Sequence, residues 1–260
     1  MRRSPGAFLW TAIFVAPMFV LSTIFCGSLS YILMLFDKSG DRAFRLGRIW
    51  SRSLCWFAGA KVTVDGLNHL DPKQNYIFCP NHLSYMDTPV IIMNIHWPFR
   101  FLAKTELFGI PFMGTHLKQA GHVPVPLDDP RASIRTLSRA AEMVQQRGIS
   151  LLIFPEGGRS ETGELQEFKD GAAYLAIKAQ VPVVPITLIG TRGVLAMHSP
   201  VFHRGAVRVR LGHPIPTVGL TVRDRENITN AMRAQIEDMQ AEQKGAAGRT
   251  KSKITQQSQI

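Results

Sequence analysis

The sequence predicts an α/β fold: a mixed sheet flanked by helices, with an N-terminal membrane-associated helical segment. Two observations predict it. From Lys61 onward, short apolar runs alternate with longer stretches of helical periodicity, and charged or histidine-bearing clusters stand just past several of the runs. That alternation marks a layered α/β domain, and strand ends are where such folds place their chemistry. Ahead of it, Gly6 to Phe36 carries no charged residue, too long a stretch for a signal-peptide core of about 7–15 residues. The chain divides into membrane-anchoring and interfacial helices at 1–60, one globular domain at 61–244, and a disordered basic tail at 245–260.

As one helix, the 31 residues from Gly6 to Phe36 would span roughly 46 Å, more than the ~30 Å hydrocarbon core of a bilayer. Pro17 and Gly27 are places where it could break. One tilted span or a shallow re-entrant pair both satisfy that length. Basic residues flank both ends, Arg2 and Arg3 before, and Lys38, Arg42, Arg45, Arg48 and Arg52 after. They draw both ends to the cytoplasmic side and favour the re-entrant form. Asp41 to Gly59 follows as an amphipathic helix. Leu46, Ile49, Trp50, Leu54 and Phe57 recur on one side, and Arg42, Arg45 and Arg52 cluster on another. That pairing suits an anionic membrane interface.

Within the domain the expected strands are Lys61–Val64, Tyr76–Cys79, Phe99–Ala103, His122–Val125, Ser150–Phe154, Val183–Ile189 and Val207–Leu211. The expected helices are Thr88–Ile95, Phe108–Ala120, Arg131–Arg147, Gly171–Ala179 and Asp224–Gln243. In the third of these Ile134, Leu137, Ala141 and Val144 share a face, and Gly148 closes it.

Charged residues make up 19% of the chain, below the roughly 25% of soluble domains. The formal net charge is +11, a balance that fits anionic lipid, phosphorylated substrates or nucleic acid. The charges cluster beside the apolar segment and in the tail, and no nucleic-acid motif is present, which excludes the last. Cys26, Cys55 and Cys79 are scattered, with neither metal-ligand spacing nor a disulfide framework, and so fit a reducing compartment.

Three clusters carry chemistry. His82 and Asp87 follow the apolar run Tyr76–Pro80 and read as a base with its orienting carboxylate. On a regular helix residues five apart lie about 140° apart, so the pair meets only if the chain turns between them. Lys104 ends another strand, where it can meet a phosphate or a developing negative charge. Phe154–Ser160 joins an apolar strand to a turn in which Gly157 and Gly158 let backbone amides approach a ligand. Arg159 can bind a phosphate bidentately, and Glu156 can hold Arg159 or accept from a substrate hydroxyl.

In order along the chain, Asn81–Asp87 reads NHLSYMD, Lys104–Leu107 KTEL (then Pro111, Gly114 and Gly121), Phe154–Ser160 FPEGGRS and Val181–Ile186 VPVVPI. These four blocks resemble those of the glycerolipid acyltransferases, and within them the 1-acylglycerol-3-phosphate acyltransferases. Phe168–Gly171, FKDG, is similar to the family's F-K-x-G stretch, and the resemblance covers roughly Val62 to Leu211. It implies that His82 deprotonates the sn-2 hydroxyl of a lysophosphatidate, which attacks an acyl thioester directly, giving phosphatidate. Asp87 is then its partner. Glu156, Gly157, Arg159 and Ser160 belong to the acceptor site, and Lys104 stands near the phosphate. The donor is acyl-CoA or an acyl carrier protein thioester, with no cofactor and no metal. The acceptor is a membrane lysophospholipid, so the protein is expected on the cytoplasmic face of the inner membrane. The chain departs from the family at Gly158, where threonine is usual, and after Gly121, where no arginine follows until Arg131. Another lysolipid, such as lyso-ornithine lipid, is therefore an alternative acceptor. A hydrolase using Ser84 lacks the G-x-S-x-G elbow. A non-catalytic basic membrane module would make His82 and Asp87 structural.

Overall fold

A computed structural model describes residues 5–33, 35–37 and 39–257, with side chains through residue 243. Seven strands form one sheet in the order β1-β7-β6-β2-β5-β3-β4. They are β1 (Ala60–Asp65), β2 (Ile77–Pro80), β3 (Phe99–Lys104), β4 (Val123–Val125), β5 (Ser150–Leu152), β6 (Val183–Ile189) and β7 (Gly205–Leu211). Only β6 and β7 pair antiparallel. The other neighbours run parallel, so the sheet is mixed as expected. β2 and β5 lie in the middle and are buried on both faces, which is why they read as unbroken apolar runs.

The helices cover both faces. On one, α3 (Asp41–Phe57) and α4 (Asp87–Asn94) close a core of Phe44, Leu54, Val90 and Ile91 over Phe78 and Phe99. On the other, α6 (Pro130–Arg147), α7 (Gly171–Ala179) and, after the short α8 (Thr191–Val194), α9 (Arg225–Gln257) bring Leu137, Leu175 and Met232 onto Ile77 and Cys79. Neighbouring residues of β2 thus serve opposite cores, as the strand period of two requires. Between β3 and β4 the single expected helix is split. A 3₁₀ turn at Thr105–Gly109 precedes α5 (Met113–Gln119). Pro111 lacks the N–H that a continuous helix would need. The last helix runs past its expected end at Gln243. The tail expected at 245–260 lies beyond the residues whose side chains are described.

The N-terminal segment is one helical run from Pro5 to Leu33, made of α1 (Pro5–Trp10), a π-helical turn (Thr11–Val15) and α2 (Ala16–Leu33). Neither expected break occurs. Pro17 follows the π turn, whose wider spacing accommodates the missing N–H and the ring's clash with the preceding turn. Gly27 serves close approach instead: a Cβ there would stand 2.7 Å from Cβ of Phe112. The run docks along its length. Thr11 Oγ1 accepts from Phe202 N–H at 2.9 Å. Trp50 Nε1 donates to Thr23 at 3.1 Å, Ser30 meets His116 Nδ1 at 2.8 Å, and Thr115 donates to Tyr31 at 2.8 Å. Its outer side leaves Leu9, Ile13, Val20, Ile24 and Phe25 exposed. One helix is therefore long and apolar enough to cross a membrane, which is compatible with membrane association.

One side of α3 differs from expectation. Ile49 faces outward and is 65% exposed, in a stripe with Arg45, Arg52 and Trp56. The buried side uses Ala43, Phe44, Gly47, Ser51 and Leu54. Arg48 turns inward to donate to the carbonyls of Ile95 and Trp97.

A bulky residue at Gly27 has to push Phe112 away. Gly27→Leu is expected to destabilise the protein by about 1–3 kcal/mol, the usual cost of overpacking, read as a lower Tm in detergent. An unchanged Tm would mean that this helix does not dock on α5.

Candidate active site at the carboxyl edge of the sheet

β2, β5 and β3 run parallel, so the segments that follow them leave from one edge of the sheet. The segments after β2 and β5 carry His82 and Glu156, and Lys104 is the last residue of β3. Asn81 first extends the strand with its side chain: its Oδ1 accepts from Leu188 N–H at 2.6 Å and its Nδ2 donates to Leu188 O at 3.3 Å. The chain then turns. Asp87, the first residue of α4, reaches back so that Oδ2 accepts from the N–H groups of Leu83 at 2.6 Å and Ser84 at 2.8 Å. The same oxygen meets Nδ1 of His82 at 2.8 Å. This closes the five-residue gap that a regular helix would hold open. The other oxygen, Oδ1, is buried without a partner among the described residues.

His82 is held on every side but one. Its ring stacks on Phe154, centroids 3.7 Å apart and planes 16° apart. Its N–H donates to Glu156 Oε1 at 2.6 Å and its carbonyl accepts from Ser160 N–H at 2.8 Å. Nε2 has no protein partner among the described residues and is not sealed from solvent. Burial pushes the imidazole pKa below its usual value, Asp87 opposes that, and the charge of Arg159 adds to it. At neutral pH the ring is therefore an uncharged base with Nε2 open.

The Phe154–Ser160 turn differs in detail from one expected use of Glu156. Its carboxylate does not hold Arg159. Besides His82, it accepts from N–H and Nε2 of Gln166 at 3.0 and 3.2 Å. It is a buried tie between the two loops, with its pKa raised by burial against those hydrogen bonds. Ser160 is likewise turned inward, 1% exposed, its Oγ accepting from Gly163 N–H at 3.0 Å. Arg159 lies with its guanidinium 4.2 Å over the Tyr85 ring and donates through Nε to Ser84 O at 3.3 Å. Among the described residues it forms no ion pair. Gly157 sits at φ +73°, the left-handed conformation that glycine takes without strain. Lys104 stands at the end of β3, one strand beyond β5, half exposed and paired with Glu106 at 3.2 Å. The structure thus gathers His82, Asp87, Glu156, Gly157, Arg159 and Ser160, and leaves Lys104 to one side with its own counterion.

Ser84 is fully buried, donating to Leu195 O at 2.6 Å and accepting from Met86 N–H at 3.0 Å. Both roles hold the turn and point it away from nucleophilic work. Sequence reasoning missed Gln166, Phe154 as a ring platform, and Tyr85. Nothing in their local pattern marks them: Phe154 and Tyr85 act on residues brought close by strand pairing, and Gln166 on Glu156 through a fold of the loop after β5. Among the described residues no three His, Cys, Asp or Glu side chains are grouped to hold a metal ion.

An uncharged, carboxylate-oriented imidazole beside an unpaired guanidinium is the kind of arrangement that can act as a general base toward a hydroxyl with a nearby anion, and that is the class the site fits. The match with known proteins narrows that class. Residues 61–189 match the family model described as acyltransferase. A 1-acyl-sn-glycerol-3-phosphate acyltransferase of Borreliella burgdorferi is 34% identical over 70% of this chain and 72% of its own. A chloroplastic one of Brassica napus is 34% identical over 70% of this chain and 53% of its own, so the chain spans about half of that relative. The crystal structure of the 1-acyl-sn-glycerophosphate acyltransferase PlsC from Thermotoga maritima shares the fold, with a TM-score of 0.73 at 23% identity over 90% of this chain and 96% of that one. The chain belongs to the acyltransferase family that holds the 1-acyl-sn-glycerol-3-phosphate acyltransferases.

The causes acting on His82 set the signs of two shifts. In a histidine NMR titration its midpoint falls below about 6.5. Asp87→Asn removes the group that raises it and moves the midpoint lower, whereas Arg159→Gln removes a group that lowers it and moves the midpoint higher. Shifts of the opposite sign would contradict this geometry.

Proposed function

We propose that the protein transfers a fatty acyl group from an acyl thioester to the sn-2 hydroxyl of 1-acylglycerol 3-phosphate, giving phosphatidate. The observation that carries this reading is the His82–Asp87 pair with Nε2 open and uncharged, beside Arg159. The names of the relatives point to the same acceptor.

Each step uses a group already in place. Nε2 takes the proton of the acceptor hydroxyl as its oxygen attacks the thioester carbonyl carbon. Asp87 holds Nδ1–H and stabilises the imidazolium that forms. The C–S bond then breaks, and the imidazolium returns the proton to the leaving thiolate. No covalent acyl-enzyme is formed, in keeping with the occupied hydroxyl of Ser84. Arg159, steadied on Tyr85, offers its guanidinium edge to the acceptor phosphate.

The donor is acyl-CoA or acyl carrier protein, and the acceptor stays in a membrane leaflet at its cytoplasmic face. Two features support that placement. The outer side of the Pro5–Leu33 run is apolar, and α3 adds the exposed stripe Arg45, Ile49, Arg52 and Trp56. The run also touches the sheet edge that carries His82. At one end Thr11 meets Phe202 in the segment entering β7, which runs antiparallel to β6 and so begins at that edge. At the other it meets α5, which follows the carboxyl end of β3.

Purified protein given an acyl thioester and a panel of lysolipids is expected to release thiol with 1-acylglycerol 3-phosphate. His82→Ala is expected to lower kcat by roughly 10²–10⁴ with the circular dichroism spectrum unchanged. No thiol release by the wild type with any lysolipid, or full turnover by His82→Ala, would sink the proposal.

A further inference from the structure

The turn that carries Arg159 has a second cation against it. Lys169 lies along Gly157, with Nζ, Cε and Cδ 3.0, 3.1 and 3.3 Å from where a Cβ on that glycine would stand. Any side chain at Gly157 would displace it, so the glycine serves the lysine as well as the backbone turn. Three contacts set its position. Its N–H donates to Pro155 O at 2.9 Å. Phe168 before it is buried in the core. Asp170 after it is bound to Thr229 Oγ1 at 2.9 Å and to Arg225 Nε at 3.1 Å.

Three carboxylates around the turn accept from groups other than Lys169. Glu156 accepts from His82 and Gln166, Asp87 from His82, Leu83 and Ser84, and Asp170 from α9. Among the described residues, Lys169 and Arg159 form no ion pair. Beside Gly157, Gly158 has nothing within 4 Å of its would-be Cβ, so the space at the turn is open. Two cations without an ion pair among the described residues, around an open glycine turn and next to a neutral base, form a place for a doubly charged anion. Lys104 does not match this description, because Glu106 already holds it at 3.2 Å.

We propose that Lys169 is the second cation of the acceptor-phosphate site, gripping the phosphate with Arg159 across the Gly157–Gly158 turn, in place of Lys104. This deepens the reading of the site as one for a phosphate-bearing lysolipid, and rests on it. Lys169 acts by direct charge-assisted contact, and it ties acceptor choice to the phosphomonoester.

The test needs no turnover. Binding of 1-acylglycerol 3-phosphate to the full chain in detergent is measured by calorimetry without a thioester, alongside 1-acylglycerol, which lacks the phosphate. Lys169→Met keeps the aliphatic stem over Gly157 and removes the charge. It is expected to weaken binding of the phosphate lipid roughly 10–100-fold, the weight of one charge-assisted contact, and to leave binding of 1-acylglycerol unchanged. Lys169→Arg keeps most of the affinity, and Lys104→Met weakens binding less than Lys169→Met does. Equal binding by wild type and Lys169→Met, equal loss for both lipids, or a larger loss in Lys104→Met would overturn the assignment. If the phosphate lipid binds as expected and the wild type still releases no thiol, the acyl-transfer reading fails and the phosphate site stands.

Discussion

A single carboxylate oxygen organises the site. Asp87 Oδ2 takes the N–H groups of Leu83 and Ser84 and the Nδ1 side of His82, all within 2.8 Å. The two amides bend the chain back after β2, and the third contact sets the imidazole plane. The carboxylate also opens α4, where negative charge is favoured by the helix dipole. Without this oxygen the turn loses two of its amide contacts and the imidazole has no fixed tautomer. With it, the ring is pressed onto Phe154 and Nε2 faces outward.

Glu156 extends the constraint across the sheet edge. It joins the loop after β2 to the loop after β5 through His82 N–H and carries on to Gln166. Both loops leave neighbouring parallel strands, so the tie is short and the geometry is stiff. An imidazole held this way is preorganised, which is the condition under which a base would need little reorganisation. The apolar helix at the N-terminus touches that same edge at both of its ends. The arrangement puts the His82 loop on the same edge as the exposed apolar helix.

Much of this was legible in the residues. The alternation after Lys61 foretold the mixed sheet and its order of elements, because parallel strands buried on both faces must be apolar throughout. The spacing of His82 and Asp87 foretold a turn, but not the two backbone amides that make it. The role of Glu156 was hidden because its partner His82 is 74 residues away and meets it only through pairing of β2 with β5. Ile49 was assigned to the wrong side of α3 for a plain reason. The buried side is built partly from Ala43, Gly47 and Ser51, small residues that hydropathy does not mark. A Cβ on Gly47 would stand 3.0 Å from His116 Nε2, so close packing selected glycine there. Pro17 and Gly27 looked like breaks and proved to be a π-turn partner and a contact point.

The central claim is that Asp87 fixes neutral His82 with its proton on Nδ1 and presents Nε2 as the base. Nitrogen-15 NMR of histidine-labelled protein at neutral pH reads this directly, with His82→Ala used to assign the signal. The account predicts the Nδ1–H tautomer with an unprotonated Nε2. A His82 signal from the Nε2–H tautomer would contradict it.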